Sequence, residues 1–209
     1  MYTYIAVEGN IGAGKTTLAT KFAQEFGAEL ILERFIENPF LEKFYQSPAE
    51  YAFPLELSFL MERFGQLKPY AATKHFPEKV YIGDYFFDKC LVFARKNLPE
   101  DQYILYQQLH NALATQLPKP EIILFLYNKV ETLQKNIAQR GREFEQNIPD
   151  EYLSAIEESY AQYFETVKDK PVIIADITNC DFVQDESKYK ALKAVLQQKW
   201  PGGKSFIKI

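Results

Sequence analysis

The spacing of apolar and polar positions divides the chain into strands and helices that take turns. Residues 2–7 are β-branched and aromatic and predict a strand. A glycine-rich turn follows. Over 15–26, Leu18, Phe22 and Phe26 recur on one helical face until Gly27 stops the helix. Residues 29–32 predict a second strand, and 39–45 and 50–67 predict helices separated at Pro48. A short strand over 79–82 runs into Gly83 and Asp84, with helices predicted over 86–96 and 101–116. Residues 121–127 form a continuous apolar run, as in a parallel strand buried on both faces. Helices over 129–140 and 150–168, a last strand over 171–175 and a last helix over 186–199 complete the series. This alternation predicts an α/β fold, a parallel sheet of about five strands with helices on both faces. Ligands of such sheets bind beyond the carboxyl ends of the strands.

Composition narrows the partners. A chain of 209 residues buries one sizeable core, so a single domain over 1–209 is expected. The formal net charge of −4 provides no global attraction for nucleic acid or for an anionic membrane, and neither is expected as a partner. A phosphate site here must be built locally from backbone amides and a few cations. Cys90 and Cys180 have no metal-binding spacing and read as ordinary buried thiols in a reducing compartment. With no signal peptide and no apolar run long enough to span a bilayer, a cytoplasmic setting is expected.

The first turn carries the chemistry. Gly9-Asn10-Ile11-Gly12-Ala13-Gly14-Lys15-Thr16 fits the P-loop pattern, between a strand and a helix. Its glycines let backbone N–H groups turn inward around phosphate oxygens, and the helix that follows adds its N-terminal dipole. Lys15 is expected to reach the β- and γ-phosphates of ATP, and the Thr16 hydroxyl to hold Mg²⁺. Alone, the loop leaves kinase, GTPase and motor ATPase open, although no guanine-specifying Asn-Lys-x-Asp is present. Arg140-Gly141-Arg142, with Glu143 and Glu145, forms a connector between two helices. Two arginines there can close over ATP as a lid over about 138–149. Glu33, just past the second strand, is a candidate proton acceptor for an attacking hydroxyl.

The order of motifs resembles the deoxyribonucleoside kinases, with the shorter bacterial deoxyadenosine and deoxyguanosine kinases most alike. The likeness runs from Glu8 through Thr17, then Glu33, Asn38-Pro39-Phe40-Leu41-Glu42-Lys43-Phe44-Tyr45 and Tyr51-Ala52-Phe53-Pro54-Leu55-Glu56. It continues through Phe93-Ala94, Arg140-Gly141-Arg142 and Asp176 to Asp181-Phe182. The resemblance implies ATP and Mg²⁺ as cofactors, a nucleoside substrate and a homodimer. It implies Glu33 as general base toward the 5′-hydroxyl, with Tyr45 and Glu145 on the sugar 3′-hydroxyl and Phe93 stacked on the base. Arg140 and Arg142 match the lid arginines, and Asp181 and Phe182 fall in the loop beside adenine. Thr17 continues the P-loop, and Asp84 matches an acidic residue that helps position Mg²⁺.

Two departures from the family pattern bear on specificity and positioning. Glu56 stands where the family carries a base-reading glutamine, and Gly83-Asp84-Tyr85-Phe86 lacks the arginine of the usual acidic-Arg-Ser run. Arg34, after Glu33, replaces a common proline. Glu56 and Arg63 lie seven residues apart on one predicted helix, hence on nearly the same face, and the family directs both positions toward the base. An ionised glutamate only accepts hydrogen bonds, which favours bases that present donors and so purines, guanine first. A shift in the Glu56 pKa would turn the preference toward adenine. The competing enzyme reading is a thymidylate-type monophosphate kinase, and the non-enzyme reading is an ATP-sensing module. Lys15, Thr16, Glu33 and both lid arginines together favour a working kinase.

Overall fold

The computed structural model describes residues 2–34, 38–71 and 79–209. Strands β1 (Tyr4–Gly9), β2 (Glu29–Ile31), β3 (Tyr81–Gly83), β4 (Ile122–Tyr127), β5 (Pro171–Asp176) and β6 (Gly203–Lys208) form one sheet. The helices are α1 (Lys15–Phe26), α2 (Leu41–Gln46), α3 (Pro48–Ala71), α4 (Lys89–Asn97) and α5 (Glu100–Ala114), followed by α6 (Val130–Arg140), α7 (Asp150–Thr166) and α8 (Glu186–Leu196). The strand order is β2-β3-β1-β4-β5-β6, and every pair is parallel. The chain passes from β1 to the β2 edge, returns with β3 between the two, then crosses to β4 and builds outward to the other edge. The carboxyl ends of β1, β3 and β4 therefore flank the crevice where a doubly wound sheet takes its ligands.

The predicted α/β class holds, with six strands where about five were expected. The additional strand is β6. Its sequence, GKSFIK, follows Pro201-Gly202 and buries only Gly203 fully, with Phe206 71% exposed. An edge strand half open to solvent lacks the continuous apolar run that marks β4. Pro48 proves to be the first residue of α3 and not a break. Proline suits that position, since its missing N–H belongs to the unpaired first turn. The helix predicted to start at residue 86 begins at Lys89. Before it, Phe86 N–H donates to the buried Glu8 carboxylate at 3.3 Å, which holds the chain in a turn.

Apolar side chains of β1 and β4 pack on both sheet faces. Ile5, Val7, Leu124 and Leu126 meet Leu18 and Phe22 of α1 and Leu133 of α6. On the opposite face Ala6, Ile123 and Phe125 meet Ile156, Tyr160 and Phe164 of α7. A separate cluster joins Phe44, Leu55, Leu60 and Phe64 of α2 and α3 to Cys90 and Ala94 of α4. It takes in Ile31 of β2 and Tyr81 of β3 as well.

Candidate active site

The P-loop leaves β1 at Gly9 and enters α1 at Lys15. Gly12 and Gly14 hold φ of +82° and +88°, which L side chains rarely adopt. A Cβ on Gly12 would also lie 2.7 Å from the Leu133 carbonyl oxygen. Neighbouring elements fix the loop. Asn10 Nδ2 donates to the Leu153 carbonyl at 2.7 Å, and Asn136 Nδ2 of α6 donates to the Gly12 carbonyl at 2.8 Å. Lys15 Nζ donates to the Asn10 carbonyl at 2.8 Å. Burial, with Lys89 nearby, pulls its pKa down to about 8. Ile11, Ala13, Thr16 and Thr17 line the same cleft.

Three strand ends converge beside the loop. Thr16 Oγ1 donates to Asp84 Oδ2 at 2.5 Å, and Asp84 Oδ1 accepts from the Glu33 backbone N–H at 2.7 Å. Asp84 thus links α1, β3 and the segment after β2. The hydroxyl and carboxylate oxygens of Thr16 and Asp84 are hard donors of the kind Mg²⁺ prefers, and they already touch.

Glu33, with a side chain only 11% exposed, is gripped by two buried cations. Arg63 donates through Nε at 2.8 Å and through Nη2 to Glu33 Oε1, while Lys89 Nζ donates to Oε2 at 2.6 Å. Burial pushes the Glu33 carboxyl up, but Lys89 and Arg63 more than offset that and hold it down at about 2. Arg34 is exposed and plays no part in this grip. Arg63 also donates to Cys90 Sγ at 3.0 Å, so its guanidinium is turned to Glu33 and Cys90.

Farther along the cleft, Glu56 Oε1 accepts from Asn97 Nδ2 at 2.6 Å. Phe59 and Phe93 line this end, and Lys89 Nζ lies 5.5 Å from the Phe93 ring centroid. Tyr45 packs against Phe44 and stacks on Phe144. Burial, with Glu145 nearby, pushes its phenol pKa up. Arg140 and Arg142 both pair with Glu145, Arg142 at 3.2 Å. Both lid arginines therefore rest on the carboxylate that the resemblance assigns to the sugar. Phe182 lies over Gly14, where a Cβ would meet its ring at 3.0 Å. The Asp181 carboxylate accepts from the N–H groups of Val183 and Gln184 at 3.0 Å, shaping that loop. Cys180, expected to be buried, is only partly so because it lines the cleft, whereas Cys90 is fully buried.

All the predicted site residues from Ile11 onward line one cleft of about 1090 Å³, with Gly9 and Asn10 beneath its floor. That volume is at the top of the range for a single small-molecule site and suits two ligands end to end. Lys89 and Asn97 were not foreseen. Their signal was present, since Lys89, Phe93 and Asn97 recur every four residues and so form one stripe along α4.

The deoxynucleoside kinase family model matches residues 5–199. The chain is 36% identical to a deoxyguanosine kinase of Bacillus subtilis over 201 residues, covering 93% of this chain and 96% of that protein. It is 29% identical to a deoxyadenosine/deoxycytidine kinase of the same organism, covering 88% of this chain and 86% of that one. The solved structure of a deoxyadenosine kinase from M. mycoides with bound dATP shares the fold, with a TM-score of 0.78 and 22% identity over 94% of this chain and 100% of that one. With the family matched over nearly its whole length, this chain belongs to the deoxynucleoside kinases.

Proposed function

We propose that the chain transfers the γ-phosphoryl group of ATP to the 5′-hydroxyl of a purine 2′-deoxyribonucleoside, giving ADP and the 5′-monophosphate. The observation that carries this reading is the seat of Glu33. Its carboxylate stands between a phosphate loop and an aromatic-lined pocket, clamped by Arg63 and Lys89. A nucleoside in the pocket would bring its 5′-oxygen to Glu33 and so to the γ-phosphate.

The residues divide the work. Glu33, ionised throughout the physiological range, accepts the hydrogen bond of the 5′-hydroxyl and aims its oxygen in line with the γ-phosphorus. So acidic a carboxyl is a weak base. The proton moves to it late, as the new P–O bond forms and the bond to the bridging oxygen of ADP breaks, which suits a loose transition state. Lys15 leaves the Asn10 carbonyl for the β- and γ-phosphates, and Arg140 and Arg142 close over the transferring group. Tyr45 and Glu145 hold the sugar 3′-hydroxyl, and Phe93 stacks on the base. Thr16 and Asp84 would hold Mg²⁺, which when bound neutralises phosphate charge. The lid spans about 138–149 of a single domain.

Purine preference is supported by the Glu56 carboxylate in the pocket and by the two Bacillus subtilis relatives, named deoxyguanosine kinase and deoxyadenosine/deoxycytidine kinase. A cytoplasmic homodimer completes the reading. No helix among the described residues is long and apolar enough to cross a membrane. Glu33→Gln tests the core of the proposal. Turnover should fall by about 10²–10⁴ while nucleoside affinity stays within a few-fold. Weakened nucleoside binding with undiminished turnover would reduce Glu33 to a binding residue.

A further inference from the structure

We propose that Glu56 and Asn97 form a base reader in which protonation selects the purine, the ionised carboxylate taking guanine and the neutral acid taking adenine. The inference rests on reading the cleft as a nucleoside site. Glu56 is 1% exposed and lines the cleft from α3. One oxygen, Oε1, accepts from Asn97 Nδ2 at 2.6 Å. The other, Oε2, is buried and has no hydrogen-bond partner among the described residues. A buried acceptor without a partner is costly, so a donor on a bound ligand that reaches Oε2 is strongly favoured.

The charges around Glu56 leave it free to titrate. On its own helix, Arg63 is committed to Glu33 and Cys90. From α4, Lys89 is committed to Glu33, and burial pushes the neighbouring Cys90 thiol up. From α5, the Tyr106 hydroxyl donates to the Glu56 main-chain carbonyl at 3.1 Å. Burial pushes up Tyr106 as well as Tyr45 of α2 and Tyr152 of α7, so these phenols stay neutral. No cation bonds the Glu56 carboxyl among the described residues. Burial, aided by the charge of Glu33 beyond β2, drives its pKa up to about 7 against the Asn97 bond and the fields of Arg63 and Lys89.

Asn97 decides where the proton goes. Its amide nitrogen only donates, so the oxygen it binds must stay an acceptor in both states. Protonation therefore falls on Oε2. The ionised group offers acceptors alone, and guanine presents N1–H and its 2-amino group side by side to match. The neutral group offers an O–H at Oε2 beside the remaining lone pair of Oε1. Adenine meets that pattern with N1 as acceptor and its 6-amino group as donor. Guanine facing the neutral acid would set O–H against N–H, and adenine facing the carboxylate would set lone pair against lone pair. A single proton thus exchanges the two purines with no change of backbone.

The test is the ratio of kcat/KM for deoxyguanosine to that for deoxyadenosine between about pH 5.5 and about pH 8.5. Groups that serve phosphoryl transfer act on both substrates and cancel in the ratio, and neither base titrates over this range. The ratio should rise at least about tenfold with pH, in one step centred near neutrality. In Glu56→Gln, which always presents a donor beside an acceptor, the ratio should become flat and favour deoxyadenosine. In Asn97→Ala the midpoint should move to higher pH, because the ionised form loses its donor. Calorimetric titration at about pH 8 in buffers of different ionisation enthalpy supplies a second readout, with proton uptake expected on binding deoxyadenosine and none on binding deoxyguanosine. A flat wild-type ratio, or equal proton uptake for both purines, would overturn the reader and leave the kinase standing. Failure to phosphorylate either purine at any pH would overturn the kinase reading beneath it.

Discussion

Two cations on one carboxylate is the unusual feature at the residue scale. Glu33 would be balanced by Arg63 alone, yet Lys89 holds its second oxygen at 2.6 Å. The segment after β3 lacks the arginine expected of the family, and Lys89, five residues beyond Asp84, delivers a positive charge from the first turn of α4 instead. A buried ion pair adds little net stability but fixes geometry, since a charge stripped of its partner in such a site is costly. Lys89 is therefore a positioning residue that acts through Glu33. Lys89→Met should lower turnover by about 10²-fold, with a much smaller change in the KM for nucleoside, and Lys89→Arg should recover part of the loss. Equal losses in the Met and Arg variants, carried by KM, would show a packing role. Sequence could name Glu33 because it follows a predicted strand. It could not name the partners of Glu33, because Arg63 and Lys89 come from two different helices whose approach is a tertiary fact.

At the scale of elements, the phosphate loop was the most legible part of the chain. Strand, glycine-rich turn and helix each carry a local signal, and they agree. The loop is also wedged against α6, where the Leu133 carbonyl occupies the space a Gly12 side chain would need. Backbone cannot swing aside as a side chain can. Gly12→Ala should cost about 1–3 kcal/mol, read as a lower Tm, and should raise the KM for ATP more than that for nucleoside. An unchanged Tm would mean that α6 yields at no cost. The less legible elements share a cause. β6 is an edge strand with one wet face, and α4 starts three residues late because the buried Glu8 carboxylate holds the Phe86 amide. Neither an edge position nor a long-range cap leaves a periodic mark on the sequence.

For the whole molecule, cations gather in one place. The chain carries a net −4, yet Lys15, Arg63, Lys89, Lys135, Arg140 and Arg142 line one cleft, against Glu33, Glu56, Asp84, Glu145 and Asp181. That cleft lies where the strand ends of a doubly wound sheet meet, the place such folds use for ligands. The fold class and the P-loop could be read from periodicity and spacing, and the roles proposed around the nucleoside rest on resemblance. The contact by which Asn97 of α4 reaches Glu56 of α3 needed the assembled structure. The central claim is that the whole cleft acts as a purine deoxynucleoside 5′-kinase. The most direct test is a steady-state assay of ADP release with ATP·Mg²⁺ and a panel of the four 2′-deoxynucleosides, adenosine, guanosine, 2′,3′-dideoxyguanosine and thymidine monophosphate. Deoxyguanosine or deoxyadenosine should give the highest kcat/KM. The ribonucleosides should be poorer, and the dideoxy compound poorer still because it lacks the 3′-hydroxyl that Tyr45 and Glu145 are proposed to hold. Phosphorylation of thymidine monophosphate in preference to every nucleoside, or thymidine as the best acceptor, would contradict the account.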